Sequence, residues 1–355
     1  MLERRVQAAE RFFTAESDRL AHLCLALAER FERGGRLLAV GGTPQAWSDA
    51  HHVAVEFVHP VIVGKRALPA LAVAPESLGL LVRDDDMVIS FEPLTVRAGE
   101  EWVLEPGDDD PFVRQELAET AYHLVWELVH VFFEHLGGST AGAGASAFLY
   151  PFLEARAGVL DSVVQDVRAS VAMKAEEVSE LRVRTVTESR AELHAAAATL
   201  SRSLDAGGTL LAFGNGGSAT DALDVVADFR AAPAGCGNGD WRERRAVALC
   251  DPAILSALAN DIGPHALYQR QLIALGRTGD VVLALSTSGN SANVIEGLAE
   301  ARRRGLATVA FVGYDGGRVA SERLADHVVV TPSEHVPRIQ EAQATAYHLL
   351  RELVR

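Results

Sequence analysis

The chain has 355 residues, of which 48% are hydrophobic, and a formal net charge of -15 at pH 7. This length exceeds the usual size of one hydrophobic core and predicts two domains. The negative charge argues against nucleic acid as the main partner, because no basic patch would neutralise phosphates. No apolar run approaches the roughly 18 residues of a membrane span, and the N-terminal sequence has no signal-peptide pattern.

Cysteine usage indicates the compartment. The three cysteines, Cys24, Cys236 and Cys250, are widely spaced and include no Cys-x-x-Cys pair. This pattern predicts reduced thiols in a cytoplasmic protein and no cysteine-rich zinc site.

Two pairs of segments repeat in the same order along the chain. Residues 34–41 (GGRLLAVG) align with 207–214 (GGTLLAFG). Residues 113–129 (VRQELAETAYHLVWELV) align without gaps with 338–354 (RIQEAQATAYHLLRELV). Two matches in one order indicate a tandem duplication.

A run of Gly, Ala and Ser at 137–148 has the composition of a flexible linker, and helical periodicity covers 160–204. The predicted organisation is therefore a reduced domain at 1–136, a linker at 137–158 and a full domain at 159–355.

The second half alternates short apolar runs with helical patterns. The predicted strands are LLAFG (210–214), RAVALC (245–250), VVLALS (281–286), TVAFVG (308–313) and HVVVT (327–331). Continuous apolar strands suit a parallel sheet covered on both faces. The predicted fold class is therefore α/β, with two tandem doubly wound parallel-sheet domains and flanking helices. The first domain is expected to be the reduced copy, because residues 83–110 show acidic clusters and no clear βαβ unit.

Two loops of the second half predict a phosphate site. The candidates in the glycine loop after LLAF are Asn215, Gly216, Gly217 and Ser218, and those in the loop after VVLAL are Ser286, Thr287, Ser288 and Ser291. Helix N–H groups and hydroxyls can surround a phosphate without a positive charge. One serine suffices for a helix cap, so four hydroxyls in six residues, at strand ends, favour phosphate binding over an ordinary turn and cap.

The GNGGSATD loop, the STSGNS loop and the RIQE…H ending resemble the sugar isomerase (SIS) domain family, and within it the phosphoheptose isomerases. The resemblance implies a phosphorylated sugar of the heptose 7-phosphate class, aldose–ketose isomerisation through an enediol, and association into homo-oligomers. It also places Asn260 and Asp261 where members of the family contact substrate.

The resemblance further implies a zinc site built from a His-x-x-x-Glu pair and from Gln and His on the last helix. The first half matches all four positions with His52, Glu56, Gln115 and His123. The implied base is Glu56, and the implied acid is His123. The second half retains Gln340 and His348 as substrate contacts, but it has Asp224 and Asp228 in place of the His–Glu pair, so loss of metal is expected there.

The residue types support this interpretation independently. His52 and Glu56 lie one turn apart on a helix face, and imidazole and carboxylate are normal zinc ligands. Gln115 and His123 are eight residues apart, about 12 Å along a helix. Gln115 therefore either precedes the helix or serves a different site or chain.

Two functions stay open at this point. The halves have specialised, with metal and proton transfer in the first and phosphate binding in the second, and together form a composite site between halves or between chains. Alternatively, both halves have decayed, and the protein binds sugar phosphate without catalysis as a regulator or partner subunit.

Overall fold

The structure, a computed structural model, describes residues 2–61, 65–94, 100–136, 160–233 and 241–354. It divides into two compact units, Met1–Asp109 with Val113–Ser179, and Asp110–Phe112 with Glu180–Arg355. The predicted linker at 137–158 lies outside the described residues. The division places residues 160–179 with the first unit, whereas the sequence prediction starts the second domain at 159.

The first unit is built on a four-stranded parallel sheet with the order β2-β1-β3-β4. Its strands are β1 (Leu37–Val40), β2 (Ala70–Val73), β3 (Met87–Ser90) and β4 (Glu100–Val103). Its helices are α1 (Leu2–Glu32), α2 (Pro44–Val58), α3 (Pro75–Leu81), α4 (Pro111–Leu136) and the first part of α5 (Leu160–Glu188).

Residues 83–110, interpreted as having no clear βαβ unit, contain the strands β3 and β4, and the described residues between these strands form no helix. Strand β3 is only four residues long, with three apolar residues and a serine, and it follows three aspartates, which hide it in the sequence. One of these, Asp86, is 1% exposed, because its carboxylate accepts hydrogen bonds from the Arg36 guanidinium and backbone.

The sheet of the first unit is covered on both faces. Leu37 and Ala39 of β1 belong to a large core with α1 and α4, whereas Leu38 and Val40 point into a smaller cluster that includes Leu78 of α3. Alternate residues of a strand face opposite sides of the sheet, which explains why all four positions are apolar.

The long helices pack against this core. Helix α1 buries Phe13, Leu20 and Leu27 at seven-residue intervals, the repeat that keeps side chains on one face of a helix. In the part of the chain that the structure describes, no helix combines the length and the apolarity needed to cross a membrane.

The second unit has a five-stranded parallel sheet with the order β6-β5-β7-β8-β9. Its strands are β5 (Leu210–Phe213), β6 (Ala246–Ala248), β7 (Val281–Ser286), β8 (Ala307–Gly313) and β9 (His327–Thr331). All five predicted strands are present. Its helices are α6 (Arg190–Asp205), α7 (Gly217–Arg230), α8 (Pro252–Asp261), α9 (Leu267–Leu275), α10 (Ala292–Arg303), α11 (Gly317–Ser321) and α12 (Val336–Leu353).

The two sheets share one strand order through their first four strands. In each, the first strand of the unit lies between the second and third, which creates a switch point where open α/β sheets bind ligands beyond the strand C-termini. Among the described residues, only the second unit has a fifth strand, so the first unit is the reduced copy.

Candidate functional site

The glycine loop connects β5 to α7 at the switch point of the second unit. A Cβ on Gly214 would collide with the Ser218 carbonyl, and Gly216 has a φ of 55°, which is unfavourable for residues with a side chain. The N–H groups of Gly216 and Gly217 make no hydrogen bond within the described part of the chain. As first-turn donors of α7, they are available to an anion.

The hydroxyl loop follows β7. The Ser286 hydroxyl oxygen accepts a hydrogen bond from the Gly289 N–H, and that of Ser288 accepts one from the Asn290 N–H, each at 3.2 Å. Ser291 is the residue before α10, yet its side chain does not cap the helix. The hydroxyls of Ser286 and Ser288 therefore stabilise the loop, and the Ser291 side chain makes no capping hydrogen bond to α10.

The two loops lie side by side. Strands β5 and β7 are hydrogen-bonded neighbours, with Phe213 opposite Ala284. The Asn215 amide, in the glycine loop, exchanges two hydrogen bonds with the Asn293 amide in the first turn of α10. The structure thus brings together the predicted phosphate groups of both loops.

The predicted pair Asn260 and Asp261 lies at the C-terminal end of α8. The Asn260 amide donates a hydrogen bond of 2.7 Å to the Asp261 carboxylate, and both side chains are exposed. This pair is reachable by a ligand from solvent.

A buried His–carboxylate cluster joins α7 to α12 in the same unit. The His348 Nε2 lies 3.5 Å from an Asp224 oxygen and 3.6 Å from an Asp228 oxygen, and all three residues are 1% exposed or less. The Tyr347 hydroxyl donates a 2.9 Å hydrogen bond to Asp224. The three possible ligand atoms lie within 4.8 Å of one another, so this group could hold a divalent cation.

The first unit has its own buried cluster between α2 and α4. The Nε2 atoms of His52 and His123 are 3.3 Å apart, and the Glu56 carboxylate lies 3.9 Å from the His52 Nε2. Burial, and secondly the charge of His123, lowers the pKa of His52 well below its ordinary value. A neutral imidazole is the form that binds metal, and imidazole and carboxylate both suit zinc.

Sequence reasoning missed a fourth residue near this cluster, a second carboxylate. Glu119 is 2% exposed and lies one turn before His123 on α4, with a carboxylate oxygen within 4.8 Å of a His52 ring nitrogen. The signal was present, because Glu119 and His123 have the same four-residue spacing as His52 and Glu56.

Gln115 does not precede α4 but lies inside it, since the helix begins at Pro111. It is therefore about 12 Å from His123 along the helix axis, too far for both side chains to converge easily. Gln340 and His348 have the same spacing within α12. The structure brings three of the four predicted zinc ligands, His52, Glu56 and His123, together, and Gln115 lies about two helical turns before His123 on α4.

At the start of α2, the described residues of the first unit direct backbone donors to protein acceptors. The Gly42 N–H donates a 2.5 Å hydrogen bond to the Glu92 carboxylate, which follows β3. Thr43 accepts from the Ala46 N–H as the cap of α2, and Pro44 has no N–H to offer. The N–H groups of Gly42 and Ala46 at this helix terminus therefore donate within the unit.

Comparisons with known proteins find a family match that lies mostly in the second unit. The family model described as SIS domain matches residues 175–313. The chain is 43% identical over 159 residues to a phosphoheptose isomerase of Thermodesulfovibrio yellowstonii, covering 44% of this chain and 75% of that protein. It is 38% identical over 199 residues to the phosphoheptose isomerase of Roseiflexus sp. (strain RS-1), covering 54% and 91%.

A structural comparison extends over both units. The C-terminal domain of glucosamine-fructose-6-phosphate aminotransferase from Francisella tularensis has a TM-score of 0.60 and 11% identity, covering 99% of this chain and 93% of that one. At that identity the match shows the fold alone, and it supports two tandem parallel-sheet α/β domains.

Proposed function

The chain belongs to the SIS domain family and its relatives support an isomerase enzyme acting on phosphorylated sugars; from this premise we propose that it interconverts the aldose and ketose forms of a heptose 7-phosphate. The observation that carries the proposal is the pairing of the glycine loop with the hydroxyl loop at the ends of adjacent strands β5 and β7.

The phosphate would be held by neutral donors. The N–H groups of Gly216 and Gly217 and the hydroxyls of Thr287 and Ser291 offer hydrogen bonds at a helix N-terminus, where the dipole favours an anion. Such local donors matter because the net charge of -15 repels anions at long range. Asn260 and Asp261 would contact the sugar.

Isomerisation requires a proton to move between neighbouring carbons, and therefore a base, an acid and stabilisation of the developing oxyanion. We assign the base to Glu56 and the acid to His123. A zinc ion held by His52, Glu56 and His123 would polarise the sugar carbonyl. The support is chemical, because this cluster offers two imidazoles and a carboxylate, which are ligand types that zinc binds.

A competing assignment places the chemistry in the second unit. Asp224, Asp228 and His348 lie on α7 and α12, and α7 begins at the glycine loop. Asp224 is seven residues from Gly217, about 10 Å along the helix, a distance that an extended phosphosugar spans. This cluster would bind a harder cation than zinc, since two of its three ligands are carboxylates.

One experiment tests the activity and the location of the metal. The purified chain is assayed for sedoheptulose 7-phosphate turnover by NMR, after chelation and again with added zinc, and its metal content is measured by mass spectrometry. We expect turnover that zinc restores, and metal that His52→Ala loses while His348→Ala retains it. The reverse pattern would move the chemistry to the second unit.

A non-catalytic sugar-phosphate binder is the second candidate. It is favoured by one observation: the phosphate loops and the His–Glu pair lie in different units. Phosphosugar binding without turnover in the zinc-loaded protein would establish it. A cytoplasmic location and association of identical chains belong to the same proposal, and light scattering tests the association.

A further inference from the structure

The side chain of Asn215 is almost fully engaged within the protein. Its Nδ2 donates to the Asn293 Oδ1 at 2.9 Å, and its Oδ1 accepts from the Asn293 Nδ2 at 2.8 Å. The same Oδ1 also accepts from the Tyr268 hydroxyl at 3.0 Å. An amide oxygen has two lone pairs, so both acceptor positions of Asn215 are filled.

Tyr268 holds the Asn215 side chain from the protein interior. Its side chain is 1% exposed and stacks on Phe213, with ring centroids 4.5 Å apart. Its hydroxyl has one proton, which is shared between the Gly214 carbonyl and the Asn215 Oδ1. Burial raises the pKa of Tyr268, so the hydroxyl remains a donor throughout the pH range in which proteins work.

Asn293 is itself anchored at the start of α10. Its Oδ1 accepts a 3.0 Å hydrogen bond from the Val294 N–H, and Val294 is 1% exposed in the core of the unit. Asn215 is exposed and precedes Gly216. The φ of Gly216 is 55°, a backbone conformation that favours glycine at this position of the loop. The contact therefore ties the glycine loop to a rigid element.

We infer that Asn293 and Tyr268 are positioning residues that clip the glycine loop to the hydroxyl loop, and that the Asn215 side chain serves this clip rather than the substrate. The inference rests on the proposed function, because it concerns the same phosphate site. The clip holds the N–H groups of Gly216 and Gly217 at a set separation from the hydroxyls after β7. Preorganised donors bind an anion without paying the cost of ordering a loop.

The test is a double-mutant cycle with Asn215→Ala and Asn293→Ala. Affinity for inorganic phosphate and for sedoheptulose 7-phosphate is measured by calorimetry. Each single variant should raise Kd about tenfold, as expected for loss of one or two hydrogen bonds. The double variant should be no weaker than the worse single variant, because both changes break one contact. In the turnover assay, KM should rise while kcat stays within about twofold, since the clip does not touch the reacting atoms.

Two further variants strengthen the test. Tyr268→Phe removes only the hydroxyl and should reproduce part of the loss in affinity, which keeps the test valid if Asn293→Ala does not fold. Gln269→Ala, on the same helix as Tyr268, should leave Kd unchanged, because among the described residues the Gln269 side chain donates to the exposed Glu296 at 3.5 Å and not to either loop.

The outcomes separate this inference from the proposed function. Additive losses in the double variant would show that Asn215 contacts the ligand and would overturn the clip, as would unchanged phosphate affinity in Asn293→Ala and Tyr268→Phe. If the wild type binds phosphosugar without turnover, the proposed isomerase activity is wrong and the inference about the clip is unaffected. If the wild type binds neither phosphate nor phosphosugar, both the proposed function and this inference are wrong.

Discussion

The two units place different groups at the same point of one backbone plan. At the end of its first strand the second unit presents the free N–H groups of Gly216 and Gly217. At the equivalent point the first unit donates the Gly42 N–H to Glu92, 2.5 Å away. Glu92 lies just beyond β3, as the hydroxyl loop lies beyond β7. In one copy these N–H groups make no hydrogen bond within the described residues, and in the other a carboxylate of the same unit accepts the Gly42 N–H.

The buried clusters of the two units differ in their numbers of imidazoles and carboxylates. The first unit brings two imidazoles together with one carboxylate, and the second brings one imidazole together with two carboxylates. Both lie between the helix that follows the first strand and the long helix that carries the TAYHL sequence. A duplicated frame therefore preserves where a site forms, while a few side chains decide which chemistry it retains.

The largest expected effect concerns catalysis. Glu56→Gln should lower kcat about a thousandfold, within the usual range for loss of a general base, and should leave the Kd for inorganic phosphate unchanged. Turnover and calorimetry measure the two quantities. Glu76→Gln, an exposed acid-to-amide change in the same unit, is the control. Full activity of Glu56→Gln would remove the contrast between the two clusters.

Acid should weaken the first unit next. Burial, assisted by the charge of Lys65, lowers the pKa of His130 from 6.5 to about 4. Between those values the unfolded chain binds a proton that the folded chain does not, so stability is complete above pH 6.5 and falls as pH decreases toward 4. The loss amounts to about 3 kcal/mol.

Hydrogen exchange measures this loss in peptides from α4 at pH 7 and pH 4.5. His130→Phe should reduce the pH dependence of exchange, because it removes the group that titrates. Equal pH dependence in the wild type and the variant would show that His130 does not cause the acid sensitivity.

A smaller effect is expected in the hydroxyl loop. Replacing both Ser286 and Ser288 with Ala removes two acceptors that hold the loop and should weaken phosphosugar binding roughly thirtyfold, at about 1 kcal/mol per hydrogen bond. Calorimetry decides the matter. Ser256→Ala, an exposed serine of α8, is the matched control, and unchanged affinity in the double variant would refute the phosphate assignment.

The smallest expected effect concerns the hydrogen bond from the Gly42 N–H to Glu92 in the first unit. Glu92→Ala should lower the stability of the first unit by about 1 kcal/mol, since one hydrogen bond is lost. Added inorganic phosphate should restore part of it by binding the freed Gly42 N–H. Urea unfolding with and without phosphate tests both statements, and Glu92→Gln, which retains an acceptor, should behave like the wild type.

The sequence predicted the parts of the fold that repeat a strong pattern. The five strands of the second unit lie in continuous apolar runs, and the loops after β5 and β7 have distinctive compositions. The short strand β3 was missed because three apolar residues beside three aspartates resemble a loop. Helices α8 and α9 were not predicted either; they are only ten and nine residues long, and α8 buries no residue.

The candidate site was predictable in its residue types and less so in its contacts. The spacing of His52 and Glu56 indicates a shared helix face, and their match to the family indicates His123 as a partner. The Asn215–Asn293 contact joins residues 78 positions apart, and no local periodicity reports such a pair. The engagement of Asn215 by protein groups therefore becomes visible only in three dimensions.

Helix α5 has a consequence for how the chain is made. Its first residues, including Val163, Val167 and Val171, are buried in the core of the first unit, although they follow the predicted linker. During synthesis the first unit therefore cannot complete its core when the ribosome reaches residue 136. It waits until the start of the second repeat has emerged. A fragment that begins at residue 160 would expose these valines, and a fragment that ends before residue 160 would lack them. The two copies, although duplicated, therefore do not separate at the predicted linker.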